Sequence, residues 1–302
     1  MVNSFKNAKA KEQVWQSYQQ LVDQWPIPLE ELDLPTTYGL THCILTGQKS
    51  NPPLFLFHGV GDNSAVMWLL NIEELSRHFY CIAIDTLGGP GKSIPNAYFN
   101  KQKFEQVEWI NEIAKHLSID VFNIAGVSNG AYIAFNYATK QPDKVNRVIC
   151  LEGGMVTTPI KAMLQTLMMM FPEILVPTDR NLLKVLKKLS APDSPLFDNH
   201  PEVAAHLILL MRTHNQQAMF VHKLQKYDRN AAVAVRDKLY FLVGEHALKQ
   251  SKDFIDILED GKFHYQVIPR AGHGINHEQP DRVNTEIINF LTGDNDKSLA
   301  SL

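Results

Sequence analysis

Apolar residues recur with two periods along the chain. Val14, Tyr18, Leu21, Val22 and Trp25 fall at helical spacing ahead of Pro26 and Pro28, which predicts an N-terminal amphipathic helix packed on the rest of the protein. Short strands are expected at Thr36–Tyr38 and Thr41–Leu45, joined at Gly39. Compact apolar runs then begin at Leu54–Phe57, Tyr80–Ile84, Val121–Ala125 and Val145–Leu151, with helical patterns between them at Ala65–His78, Lys103–Leu117 and Asn129–Gln141. The strand type returns at Leu239–Val243 and Tyr265–Ile268, followed by helical patterns at Lys249–Asp260 and Arg282–Leu291. Short apolar strands alternating with helices predict an α/β protein, with a mostly parallel central sheet and helices on both faces. Chemistry in such sheets sits at the carboxyl ends of the strands.

One stretch breaks the alternation. From Met155 to Asp237 only helical pattern with proline breaks is visible, and this predicts a helical cap inserted over the sheet. The domain reading is therefore an N-terminal helix at 1–30, a core at 31–154 and 238–292, a cap at 155–237 and a loose tail at 293–302. Seven of the nine methionines lie in the cap stretch. Methionine fills irregular gaps and lines adaptable pockets. Most of the seven read as packing, with Met155 and Met168 as candidate substrate contacts.

The 302 residues can bury a full core, with 45% apolar and 20% charged residues and a formal net charge of −3. Nothing in this balance forms the basic stripe that nucleic-acid binding needs. No apolar run reaches the length of a membrane span, and the first thirty residues hold no signal-type apolar segment, so a cytoplasmic protein is expected. Cys43, Cys81 and Cys150 are too few for a disulfide framework, and the last two read as small buried hydrophobes.

The sharpest motif is Gly126-Val127-Ser128-Asn129-Gly130, placed between an apolar strand and a helix. The tight turn needs small flanking residues. It presents the Ser128 hydroxyl at a helix N-terminus, where free N–H groups favour a developing anion. A serine needs a neighbouring base to become nucleophilic. Among twelve histidines, His273 stands apart, in Ala271-Gly272-His273-Gly274 between the last strand and the last helix. His277 is its nearest rival and reads as a surface or supporting group. A metal pair from these two finds no third ligand, and acyl transfer on a serine requires neither metal nor cofactor, so none is expected. After the first apolar strand, Phe57-His58-Gly59-Val60-Gly61 lets backbone approach the substrate. The N–H groups of Val60 and Asn129 are the expected oxyanion donors, with His58 fixing the loop.

These segments resemble the α/β-hydrolase superfamily in their order: His58-Gly59, Asp85-Thr86-Leu87-Gly88 with Lys92-Ser93, the Ser128 turn, and Ala271-Gly272-His273 leading to Glu278-Gln279-Pro280. Trp25-Pro26, Gly39-Leu40-Thr41-His42, Met67-Trp68 and Lys92-Ser93-Ile94-Pro95 are similar, more narrowly, to bacterial carboxylesterases of the naproxen-esterase type. The resemblance implies an α/β-hydrolase fold and a serine carboxylesterase acting on a small-molecule ester with an apolar moiety. A lactonase or C–C bond hydrolase of the same fold is the alternative. The family's acid is expected a few residues beyond the glycine after Leu239–Val243, and Ala247 occupies that place. Glu152, at the end of the preceding strand, is the first substitute and Glu245 the second. With neither, the chain is a catalytically weak or inactive ligand-binding member of the fold. Gly88-Gly89-Pro90-Gly91-Lys92-Ser93 nearly spells a phosphate loop, but Thr86 stands where glycine is needed and Pro95 opposes the required helix.

Overall fold

A computed structural model describes residues 2–157 and 171–293. Helix α1 spans Ala8–Val22. Asn7 starts it, its side chain accepting the Ala10 N–H, and the helix buries Val14, Tyr18, Leu21 and Val22. Strands β1 (Leu29–Thr36) and β2 (Gly39–Thr46) form a hairpin longer than the pattern predicts, reversing at Thr37 and Tyr38. Its first arm reads as polar because Glu31 and Asp33 both turn to His42 on the partner strand. Their carboxylates meet His42 Nε2 at 3.0 Å and Nδ1 at 2.7 Å. Cross-strand ion pairing thus replaces the apolar alternation that would mark a strand.

Strand β3 (Pro53–Phe57) is followed by two short helices, α2 (Ser64–Met67) and α3 (Ile72–His78), where one helix over Ala65–His78 was expected. The carbonyls of Val66 and Met67 accept from His277 Nε2 at 2.9 Å and Asn276 Nδ2 at 2.6 Å, contacts that compete with continuation of the helix. Then come β4 (Tyr80–Ile84), the two-residue β5 (Ile94–Pro95), α4 (Gln106–His116), β6 (Phe122–Val127), α5 (Asn129–Lys140) and β7 (Val145–Leu151). The described part of the next stretch carries α6 (Asp179–Leu189), α7 (Leu196–Asn199), α8 (Pro201–Thr213) and α9 (Arg229–Ala234), with no strand among its described residues. The chain ends with β8 (Leu239–Gly244), α10 (Leu248–Asp260), β9 (His264–Ile268), α11 (Ile275–Glu278) and α12 (Pro280–Thr292), closed by Gly293 at φ 87°.

The strands form one sheet ordered β1-β2-β4-β3-β6-β7-β8-β9, with β5 on β2. Pairings from β4 to β9 are parallel, and those of β2 are antiparallel. Period-two alternation sends both sets of side chains into apolar layers. Phe55, Phe57, Ile124, Val148 and Phe241 pack on the side of α4 and α5, whereas Leu54, Leu56, Ala125, Ile149 and Leu242 pack on the side of α1, α3 and α12. Burial of both faces explains why these strands read as continuous apolar runs. Cys43, Cys81 and Cys150 are buried free thiols. No helix among the described residues is long and apolar enough to cross a membrane.

Candidate active site

Ser128 ends β6 at φ 55°, ψ −109°, a strained backbone for a non-glycine residue. Two glycines make the turn sterically possible. A Cβ on Gly126 would lie 2.2 Å from the Gly130 backbone, and one on Gly130 would lie 2.3 Å from the Phe57 carbonyl oxygen. Helix α5 can approach the strand ends only because both are bare. The Ser128 N–H donates to Leu151 O at 2.8 Å, tying the turn to the end of β7.

Glu152 follows immediately on β7 and is also held at positive φ, 53°. Its N–H donates to Leu242 O at 3.0 Å. Its carboxylate is only 4% exposed; Oε1 accepts the Gly244 N–H at 2.5 Å, and Oε2 lies 3.3 Å from His273 Nδ1. A Cβ on Gly153 would come within 2.8 Å of the Ser128 carbonyl oxygen, so the two strand ends are in contact. His273 reaches this point from the loop after β9, its N–H donating to Leu189 O at 2.6 Å. Burial alone lowers the His273 pKa. The Glu152 carboxylate outweighs that effect, with help from Asp62 and Glu278, and the pKa is raised overall. A carboxylate at Nδ1 favours the tautomer protonated there and leaves Nε2 as a basic lone pair.

The structure therefore brings Glu152, and not Glu245, to His273. Glu245 is exposed and accepts the Arg270 N–H at 2.9 Å. Ser128 and His273 both flank Glu152, yet no hydrogen bond joins Ser128 Oγ to the imidazole in this conformation.

The His58 loop lies beside the nucleophile: a Cβ on Gly59 would be 3.7 Å from Ser128 Cβ. His58 is fully buried, its Nδ1 donating to Gly59 O at 2.8 Å and its Nε2 accepting the Thr86 N–H at 2.9 Å. Burial lowers its pKa, so it is a neutral strut. Among the described residues the N–H groups of Val60 and Asn129 are spent on no backbone partner outside regular elements. Asn129 opens α5, where N–H groups lack intrahelical acceptors. The Asn129 Nδ2 amide is buried without a partner.

Two residues not singled out individually by sequence belong to this site. Glu278 accepts the Gly272 N–H at 2.9 Å and the Ala191 N–H at 2.7 Å, stapling the His273 loop to the segment after α6. Asp62 follows Gly61 in the His58 loop, and burial, partly countered by His273, pushes its carboxyl up to about 7. Its place in a glycine-rich loop after a buried strand was the available signal.

The remaining candidates take other places. Met155 is 6% exposed in the hydrophobic cluster that contains Phe241 and Cys150. Met168 lies outside the described residues. His277 is buried and turned to Val66, which overturns the surface alternative and leaves the supporting one. Among the described residues no three His, Cys, Asp or Glu side chains are grouped to hold a metal. Lys92 is committed to Glu31 at 2.5 Å and Gln19 at 2.7 Å, and β5 follows it without a helix, so no phosphate cradle is built.

A family model described as alpha/beta hydrolase fold matches residues 52–252. Carboxylesterase YbfK of Bacillus subtilis is 26% identical over 92% of this chain and 93% of its own length. Its crystal structure, as carboxylesterase CesB (YbfK), superposes with a TM-score of 0.77 over 95% of this chain and 99% of that one. The structure of naproxen esterase from Bacillus subtilis gives 0.79 over 94% and 99%, at 21% identity.

Proposed function

We propose that this chain, which belongs to the alpha/beta hydrolase fold family, is a serine hydrolase that cleaves carboxylic esters through an acyl-enzyme on Ser128. The observation that carries the reading is the contact of His273 Nδ1 with the buried Glu152 carboxylate, beside a serine held at positive φ. The similarity to carboxylesterase YbfK over nearly the full length of both chains supports the ester class.

His273 Nε2 takes the Ser128 hydroxyl proton as Oγ attacks the ester carbonyl. Glu152 steadies the imidazolium, and the N–H groups of Val60 and Asn129 receive the oxyanion. When the tetrahedral intermediate collapses, the alkoxide leaves with the proton from His273 Nε2. Water then gives a proton to the same nitrogen and attacks the acyl-enzyme. Collapse of the second intermediate releases the carboxylic acid and restores Ser128 with its proton. The substrate is a small-molecule ester with an apolar part. Val60, a residue 48% exposed beside the site, offers one apolar contact for it.

The test is turnover of p-nitrophenyl butyrate together with covalent labelling by a fluorophosphonate. Ser128→Ala should lose on the order of 10⁴- to 10⁶-fold in kcat and all labelling. If wild type and Ser128→Ala are equally inert and unlabelled, the chain is a ligand-binding member of the fold and the proposal fails.

A further inference from the structure

Asp62 is a carboxyl group beside the nucleophile that acyl transfer leaves unused. The Asp62 N–H donates to Gly59 O at 3.4 Å, and Gly61 sits at φ 78°; together they fold the side chain back over Gly59. A Cβ built on Gly59 would lie 2.9 Å from Asp62 Oδ2, 3.6 Å from the Met67 methyl and 3.7 Å from Ser128 Cβ. Acid, thioether and nucleophile thus converge on one point of the site floor.

Asp62 is half-buried; among the described residues no hydrogen bond engages its oxygens, and the charge it feels is that of His273. It is not needed as a helix cap, because Asn63 starts α2 with its own side chain accepting the Val66 N–H at 3.3 Å. A partly desolvated carboxyl without a hydrogen bond is costly. Beside a nucleophile, such a group is a candidate for contact with the substrate. Burial holds the acid up at about 7 against the pull of His273, so near neutral pH both of its forms are populated. Either form accepts a hydrogen bond from a donor, and the ionised form repels an anion.

We propose that Asp62 is a specificity-determining residue that receives a hydroxyl or ammonium group carried by the ester close to its scissile carbonyl, and that disfavours a carboxylate there. This rests on the acyl-transfer reading of Ser128 and adds the chemical class of substituent the site selects.

The experiment compares kcat/KM for p-nitrophenyl butyrate, 3-hydroxybutyrate and hemisuccinate in wild type, Asp62→Asn and Asp62→Leu. Ratios between substrates cancel any common change in folded fraction. In Asp62→Leu the hydroxybutyrate-to-butyrate ratio should fall roughly 10- to 100-fold. Asp62→Asn retains an acceptor oxygen and should keep most of that ratio, while its hemisuccinate-to-butyrate ratio rises. Unchanged ratios in Asp62→Leu overturn the proposal, whether or not the individual rates fall together. If wild type turns over none of the three esters, the acyl-transfer reading fails on its own account. Asp62 is then read by calorimetry with 3-hydroxybutyranilide and butyranilide, where equal affinity ratios in wild type and Asp62→Leu refute its role.

Discussion

Replacing Glu152 by Gln removes one charge and conserves shape. When His273 becomes an imidazolium, its pair with Glu152 at 3.3 Å is worth about 5 kcal/mol at an effective dielectric near 20. The imidazole is 39% exposed, and solvent screening reduces that figure to roughly 2–3 kcal/mol, or about 30- to 150-fold in rate. A second effect compounds the first. The oxygen of the introduced amide keeps the Gly244 N–H, so its NH₂ group is left facing His273 Nδ1. That contact favours the tautomer protonated at Nε2, which cannot accept the Ser128 proton. Inverting the tautomer in this way raises the loss to on the order of 10⁴-fold. We expect Glu152→Gln to lower kcat for p-nitrophenyl butyrate by roughly 10³- to 10⁴-fold, with KM changed by less than about threefold. Stopped-flow or endpoint release of p-nitrophenolate measures both. The pH profile is a second readout. Activity requires the neutral imidazole, and Glu152 raises the pKa of His273, so removing the charge moves the acidic limb of kcat/KM to lower pH. A Glu152→Gln enzyme within tenfold of wild type, or an equal loss in Glu245→Gln, refutes this pairing.

Further outcomes concern the frame that holds the site. Gly130→Ala would force a methyl to 2.3 Å from the Phe57 carbonyl oxygen; it should cost about 3 kcal/mol and lower Tm by roughly 5 °C, and an unchanged Tm would contradict the close approach of α5. Leu21→Ala, at a position 2% exposed in α1, should cost about 2–5 kcal/mol in denaturant unfolding, whereas a loss under about 0.5 kcal/mol would mean that α1 does not pack on the body. His42 is opposed by burial, but Glu31, Asp85 and Asp33 raise its pKa overall, while its bond to His42 leads in lowering Glu31 to about 2. The His42 contribution is present below its unfolded pKa of roughly 6.5 and is lost as pH rises through the higher folded value; that of Glu31 is present above roughly 4.3 and is lost as pH falls toward 2. The Tm difference between wild type and His42→Asn should therefore peak between about pH 4.5 and 6.5, and a difference that instead grows in alkaline solution would contradict this direction of linkage.

Much of this protein was legible one segment at a time. The β4 and β7 boundaries, Tyr80–Ile84 and Val145–Leu151, coincide with the apolar runs, because strands buried on both faces carry their signal in consecutive residues. The turn at Ser128 was readable because Gly126 is demanded by contact with the Gly130 backbone, a requirement local to the motif. The hairpin arm at Leu29–Thr36 and the break between α2 and α3 were not readable. Each depends on a partner distant in sequence: His42 satisfies the acids of β1, and Asn276 and His277 take the carbonyls of α2. The acid position is the clearest division between the two levels. Sequence alone supplied two carboxylates, Glu152 and Glu245, each at a strand end near the expected loop. Only the packing of β7 against β8, which seats Glu152 on the Gly244 N–H while Glu245 turns to Arg270, decided which one touches His273. Hydrophobic period and turn chemistry are properties of neighbours in the chain. Hydrogen-bond partners brought together across 121 residues are properties of the folded sheet.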